Sequence, residues 1–273
     1  MKAIQCKTIF LFLNLICIGY SVFAQEEKTP AYITVTTLHV NTANPDLKRD
    51  DWAKIEKEYF EKVVMKNPYI MRSNILTHYF TADNTEIISV YVYENWDAID
   101  KAWQKSQELI KEAWPDEKVR KAFYEKRSSF YTGEHSDEIY AVLPDRKLLG
   151  KAPDKQMIYY VRKSKIVNPK DGSAKEFEAL NKEYMDNIMY KNDVIKAYYT
   201  YQHAWGSKAN EFIEVFVYDN FADIEKAWDK EDELAKAHWK DDAKMKEFGK
   251  KYSKYFSTTH GDYIYRNEVG LQK

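Results

Sequence analysis

Cysteine is almost missing: the 273-residue chain has two, Cys6 and Cys17, both near its start. Lys2 and Lys7 flank the beginning of an apolar run from Thr8 to Tyr20, and Val22 and Ala24 stand where a leader is cut. Residues 1–24 therefore read as a secretory signal peptide, since the run is shorter than the roughly 20 residues that spanning takes. Cleavage after Ala24 would leave no cysteine at all, which excludes disulfides, thiolate metal sites and a cysteine nucleophile in the exported, periplasmic or extracellular protein. No second apolar run is long enough to span a bilayer, so no membrane span is expected after cleavage. An excess of one charge is also lacking, with 42 Lys and Arg against 43 Asp and Glu. That balance leaves no basic field for nucleic acid. Compact metal spacings such as HExxH do not occur, and no metal is assigned. What is abundant is aromatic: 22 Tyr, 13 Phe and 7 Trp call for a large packed core or a lined cavity.

The chain repeats itself. Lys57-Glu58-Tyr59 returns as Lys182-Glu183-Tyr184, Lys66-Asn67 as Lys191-Asn192, and Lys101-Ala102-Trp103 as Lys226-Ala227-Trp228. His135, Asp137, Ile139 and Tyr140 return as His260, Asp262, Ile264 and Tyr265, each pair 125 apart (260 − 135). From Asp51 to Tyr140 the copies align without a gap, with about a third of positions identical, as a duplication requires. Residues 31–145 form the first repeat and 157–268 the second. The segment 146–156, with Gly150, Pro153 and four basic residues, reads as their linker.

Each copy reads strand, helix, strand, strand, helix, helix, strand. Trp52, Ile55, Tyr59 and Val63 mark one face of the first helix, and Phe177, Leu180, Tyr184 and Ile188 mark its counterpart. In the third strand element Ile88, Val90 and Val92 alternate with Ser89, Tyr91 and Tyr93; the second copy alternates Ile213, Val215 and Val217 with Glu214, Phe216 and Tyr218. The aliphatic face is expected against helices, and the aromatic face against another surface. Asn95 and Asn220 suit helix N-caps, and Pro115 the start of a short helix.

This order is ferredoxin-like (βαββααβ, α+β), with helices on one face of each antiparallel sheet. The aromatic faces then meet, closing a pseudo-dimeric α/β barrel within one chain, or each pairs with another copy in a homo-oligomer. With that topology and the passage Ser89-Val-Tyr-Val-Tyr-Glu-Asn-Trp-Asp-Ala-Ile-Asp-Lys-Ala-Trp103, twinned by Glu214 to Trp228, the sequence resembles the dimeric α/β-barrel superfamily, in its antibiotic-biosynthesis-monooxygenase-like branch. The resemblance covers nearly the whole mature chain and implies a fold, not one activity.

Candidate site residues follow from the expected lumen. His78 and its twin His203 lie on strands, with Tyr201 and Trp205 on the face of His203, and could contact a ligand or move a proton. Tyr91, Tyr93, Phe216 and Tyr218 would supply the aromatic wall. His135 with Asp137, and His260 with Asp262, place a carboxylate beside an imidazole two residues away on the same strand face. A metal site of His78, His203 and Glu214 would need long-range geometry. Ala227 to His238 resembles a helix pattern of haem-degrading monooxygenases, which implies His238 as an axial iron ligand. The first repeat departs from it with Ala113, and Asp219 stands where that family has Trp. The expected function is binding of a small, partly apolar ligand in an aromatic and His-lined lumen, with no cofactor. The alternatives are a monooxygenase-like enzyme, cofactor-free or haem-dependent, and a non-catalytic interaction module whose lumen is filled by side chains.

Overall fold

The computed structural model describes residues 29–273. The leader expected over 1–24 lies outside the described residues. The first half runs β1 (Tyr32–Val40), α1 (Arg49–Tyr59), β2 (Arg72–Phe80), β3 (Glu86–Tyr93), α2 (Trp96–Ala113), α3 (Glu117–Ser128) and β4 (Tyr131–Val142). The second half follows the same order as β5 (Ile158–Lys165), α4 (Ala174–Tyr184), β6 (Ala197–Trp205), β7 (Glu211–Tyr218), α5 (Asp223–Trp239), α6 (Asp242–Ser253) and β8 (Gly261–Asn267). Both α1 and α4 continue into a π-helical turn, Phe60–Val64 and Met185–Met189. No helix among the described residues is long and apolar enough to cross a membrane.

The eight strands close into one barrel in the order β1-β3-β2-β8-β5-β7-β6-β4, every neighbour antiparallel. Each half contributes a four-stranded sheet of the same internal order. The halves join where β2 meets β8 and where β4 meets β6. Strand direction alternates around the barrel, so β3 and β7 both begin at one end. Glu86 and Glu211 start those strands, and the ends of β2 and β6 carry His78 and His203 to that same end.

On β3 and β7 the faces are opposite to the expectation from alternation. Ile33, Val35, Leu76, Ile88, Val90, Ile213 and Val215 point into the barrel. The aromatic face packs under the helices instead. Tyr91 and Tyr93 lie against Phe60, Val64, Ala98 and Ala102, while Phe216 and Tyr218 lie against Met185, Met189, Ile224 and Ala227. An eight-stranded barrel has an interior only a few side chains wide, which suits branched aliphatics. The broader gap between sheet and helix accepts rings.

Residues shared by the halves are explained by local ties. Asn67 and Asn192 are fully buried. Their side-chain amides donate to the Ala102 carbonyl at 2.8 Å and the Ala227 carbonyl at 2.9 Å, pinning the turn before β2 and β6 to the helix above. Glu58 accepts from the Trp114 indole at 3.2 Å and Glu183 from the Trp239 indole at 3.1 Å. Two of the bonds that cross between the halves are twins of each other. The Tyr140 hydroxyl donates to Glu211, and its twin Tyr265 donates to Glu86, the twin of Glu211, at 3.0 Å.

Helix starts differ between the halves. Asn95 caps α2 by accepting from the Ala98 amide at 2.9 Å. Asn220 does not cap α5; its own amide groups donate to Asp223, which begins that helix. Pro115 precedes α3, whose cap is Asp116. The segment 146–156 is more than a connector. Lys147 pairs with Tyr198 as an extra strand bridge, and Leu149 packs into the lumen core and donates its amide to the Tyr199 hydroxyl at 3.1 Å. It roofs the barrel end at which β2 and β6 begin.

Candidate functional site

Alternation on closed strands leaves an interior cavity of about 370 Å³. Its waist is aliphatic, from β1, β3, β5 and β7. Five tyrosines interrupt it: Tyr140, Tyr159, Tyr199, Tyr201 and Tyr265. Burial raises the pKa of all five phenols. Nearby carboxylates raise Tyr140 and Tyr265 further, through Glu211 and Glu86. The phenols therefore stay protonated and act as hydrogen-bond partners, not as anions. Polar side chains gather at the two ends. The roofed end has Arg72, Arg146, Lys151 and Lys273; the far end has Ser136, Glu138, Lys163, Lys208 and Glu211.

The far end is built around Glu138, which is 5% exposed. Its carboxylate accepts from the Ser207 amide at 3.0 Å, the Ser207 hydroxyl at 2.8 Å and the Lys208 amide at 3.4 Å. Gly206 makes this wrap feasible. Its φ is +123°, and a Cβ there would sit 1.8 Å from a Glu138 oxygen. His203 Nε2 lies 3.6 Å from the same carboxylate, buried and without a hydrogen-bond partner among the described residues. The imidazole meets the Tyr140 ring edge-on at 6.1 Å.

The structure sorts the residues singled out from sequence. Tyr201 lines the lumen and His203 borders its far end. His78 faces Tyr265 across the β2–β8 seam, as His203 faces Tyr140 across β4–β6, but its Nδ1 is bonded to the Thr81 hydroxyl at 2.7 Å. The two imidazoles thus sit at separate seams, not together. Trp205 is 57% exposed at the rim. Tyr91, Tyr93, Phe216 and Tyr218 are under helices, outside the lumen. His135 and Asp137 are 3.3 Å apart on the outer face of β4 and more than half exposed. His260 and Asp262 keep the same 3.3 Å spacing on the outer face of β8. Strand parity decides this: Ser136, Glu138 and Tyr140 point inward, so their neighbours point out.

Glu214 also faces outward, which dissolves the site imagined from it and the two histidines. Among the described residues no group of three His, Cys, Asp or Glu side chains could hold a metal ion. Glu214 belongs to a second polar cluster, between the outer face of the second sheet and its helices. The Tyr198 hydroxyl donates to Glu214 at 2.7 Å. Arg162 donates to the Tyr160 hydroxyl at 2.6 Å and to Asp262 at 3.0 Å. Burial raises the Glu214 pKa against the opposing Tyr198 hydrogen bond and Arg162 charge. Glu231 of α5 is pushed up to about 7, first by burial and then by the Glu214 charge. Burial works to raise Asp262 as well, but the hydrogen bonds from Arg162 and Tyr160 hold it below its usual range. A buried carboxyl that titrates near neutrality can give or take a proton at working pH.

The same position in the first half is chemically different. Glu56, 2% exposed, takes both arms of Arg127 at 2.9 Å and the Tyr131 hydroxyl at 2.7 Å. Arg127 also stacks over the Tyr59 ring at 4.1 Å. The second half has Asn181 and Tyr252 there, joined by a 3.0 Å hydrogen bond.

His238 does not fit an axial haem ligand. Its Nε2 is 3.0 Å from a Glu183 carboxylate oxygen, and its ring packs edge-on against Trp239. The space beneath that half's helices is filled by Tyr198, Phe216, Tyr218 and Met189. No step is assigned to haem.

No protein-family model matches the chain, and no curated protein matches its sequence. Solved structures match in shape. A candidate monooxygenase from Lactobacillus acidophilus NCFM is 14% identical, with 89% of this chain and 96% of that one covered and a TM-score of 0.51. A candidate monooxygenase from Fusobacterium nucleatum is 13% identical over 90% and 94%, with a TM-score of 0.52. A chlorite dismutase variant from Candidatus Nitrospira defluvii is 12% identical over 88% and 92%, again at 0.52. The shared feature is the fold, helices around a closed antiparallel barrel. At such identities the likeness carries no activity across.

Sequence reasoning missed Glu138, Tyr140, Tyr159, Tyr199, Tyr265, Arg72 and Arg146 as lumen residues. A signal for two of them was present, since Tyr140 and Tyr265 recur at the repeat spacing.

Proposed function

We propose that this is an exported binding protein that carries a small, mostly apolar ligand inside its barrel. One observation carries the reading: an internal cavity of about 370 Å³, within the size range of small-molecule sites, with an aliphatic waist and tyrosine hydroxyls in place of filling side chains. A filled lumen would have favoured the interaction module. The reciprocal Tyr140–Glu211 and Tyr265–Glu86 bonds support an origin by duplication and a pseudo-dimer that closes its barrel without a second chain. A Val90→Trp or Val215→Trp substitution puts an indole into the waist. Either variant is expected to stay folded and to lose at least about tenfold in affinity for an apolar reporter dye. Unchanged dye binding in both variants would remove the lumen as the site.

A second reading, a cofactor-free oxygenase-type enzyme, is favoured by the carboxyl pair Glu214 and Glu231 among Tyr184, Tyr198 and Tyr252. Glu231 would then act as the general acid or base. Oxygen uptake over a panel of phenols, abolished in Glu231→Gln, supports that reading; no uptake by the wild-type protein refutes it.

A further inference from the structure

We propose that the lumen takes an amphipathic anion, its apolar body held at the waist and its oxyanion head received by Arg72 and Arg146 at the roofed end. This deepens the lumen-binding reading and rests on it. The cavity wall carries six cationic side chains against two carboxylates, Glu138 and Glu211. Both carboxylates are at the far end and already engaged, Glu138 by the 206–208 loop and Glu211 by Tyr140. At the roofed end Lys151 is paired with Asp154 at 3.1 Å, and Lys273 donates to the Asn67 carbonyl at 2.6 Å. Arg72 and Arg146 are left over: the arginine ion pairs among the described residues are those of Arg49, Arg127 and Arg162. Asp145, next to Arg146 in the chain, is bonded to Asn181 at 2.7 Å, and Asp219 to Lys155 at 2.8 Å.

Two phenol donors, Tyr199 and Tyr201, line the same cavity as these arginines. Both guanidinium charges reach the phenols of Tyr199 and Tyr201, opposing the effect of burial there. Tyr199 already accepts from the Leu149 amide, so its own hydrogen is free to donate. Burial keeps the Tyr201 hydroxyl protonated, so it too can donate. Two guanidinium forks and two phenol O–H groups match an acceptor-only head, a carboxylate or a phosphate. An ammonium head would meet like charge and too few acceptors. The arrangement belongs to one end only, because the twin of Arg72 is Ala197 and the linker that supplies Arg146 has no twin.

The test is calorimetric titration of the full mature chain with four ligands of one tail length: decanoate, decyl phosphate, decanol and decylamine. Both anions are expected to bind at least about tenfold tighter than decanol, with decylamine weakest. In the double variant Arg72→Gln, Arg146→Gln the anions should fall to the level of decanol, while decanol itself stays within about twofold. Neither arginine makes a bond that the fold needs, and an unchanged melting temperature verifies this. A larger loss for decyl phosphate than for decanoate assigns the head as phosphate; the reverse assigns it as carboxylate. Decanol binding as tightly as the anions, or an anion preference that survives the double variant, overturns the assignment while leaving the lumen reading intact. Absence of binding by all four ligands overturns the lumen reading and this inference together.

Discussion

Replacing Glu231 by Gln should make the protein more stable above neutral pH and leave it nearly unchanged in mild acid. In the folded chain the Glu231 carboxyl is raised from 4.5 to about 7, because burial and the neighbouring Glu214 both disfavour its charge. The unfolded chain releases this proton near 4.5, while the folded chain keeps it until about 7. Between those values the folded state binds more protons, so stability falls as pH rises. The full fall corresponds to about 3 kcal/mol, since each pH unit of displacement is worth about 1.4 kcal/mol. Gln cannot ionise, so the variant lacks this loss. At pH 5 the two proteins should melt within about 2 °C of each other; at pH 8 the variant should melt about 6–10 °C higher. Other carboxyls titrate in both proteins, so the difference between them reports Glu231 together with its coupling to Glu214. Thermal unfolding by circular dichroism at pH 5, 6, 7 and 8 provides the measurement. A wild-type-to-variant gap that does not change with pH would show that Glu231 ionises freely in the folded chain, and with it the acid–base role would go.

Two further perturbations test the frame around the cavity. Arg127→Met strands the buried Glu56 carboxylate, whose two 2.9 Å guanidinium bonds disappear, and should cost about 3–5 kcal/mol in urea unfolding at pH 7. A loss below about 1 kcal/mol would mean that solvent already compensates this charge. Gly206→Ala puts a Cβ 1.8 Å from the Glu138 carboxylate at a positive φ, so the loop must let go of Glu138. That variant should lose at least about 1–3 kcal/mol, and amide exchange at Ser207 and Lys208 should quicken; full retention of both refutes the wrap.

Much of the architecture was legible because it depends on local chemistry and on recurrence. Helical stripes such as Trp52, Ile55 and Tyr59, and the alternation of Ile88, Val90 and Val92, mark elements that the structure contains. The element order read for each half is the order that the structure contains, with eight strands in one barrel. The site was harder to read. Alternation divides a strand into two faces, but nothing local says which face turns inward. On β3 and β7 the aliphatic set went to the lumen and the rings to the helices, whereas β4, β5, β6 and β8 turn Tyr140, Tyr159, Tyr199, Tyr201 and Tyr265 inward, so closure of the whole barrel, not alternation within one strand, decides the face.

The sequence by itself determined the element order and the pairing of like residues 125 apart, since these follow from neighbours along the chain. Only the tertiary structure decided which side chains share a space. Arg72 comes from a strand, Arg146 from a segment that looked like a mere connector, and Tyr201 from the opposite half. Glu214 and Glu231, which sit on a strand and a helix, perturb one another only because the helix packs over the sheet. Proximity between residues distant in sequence is created by closing the barrel, and burial then sets the charge each group can hold.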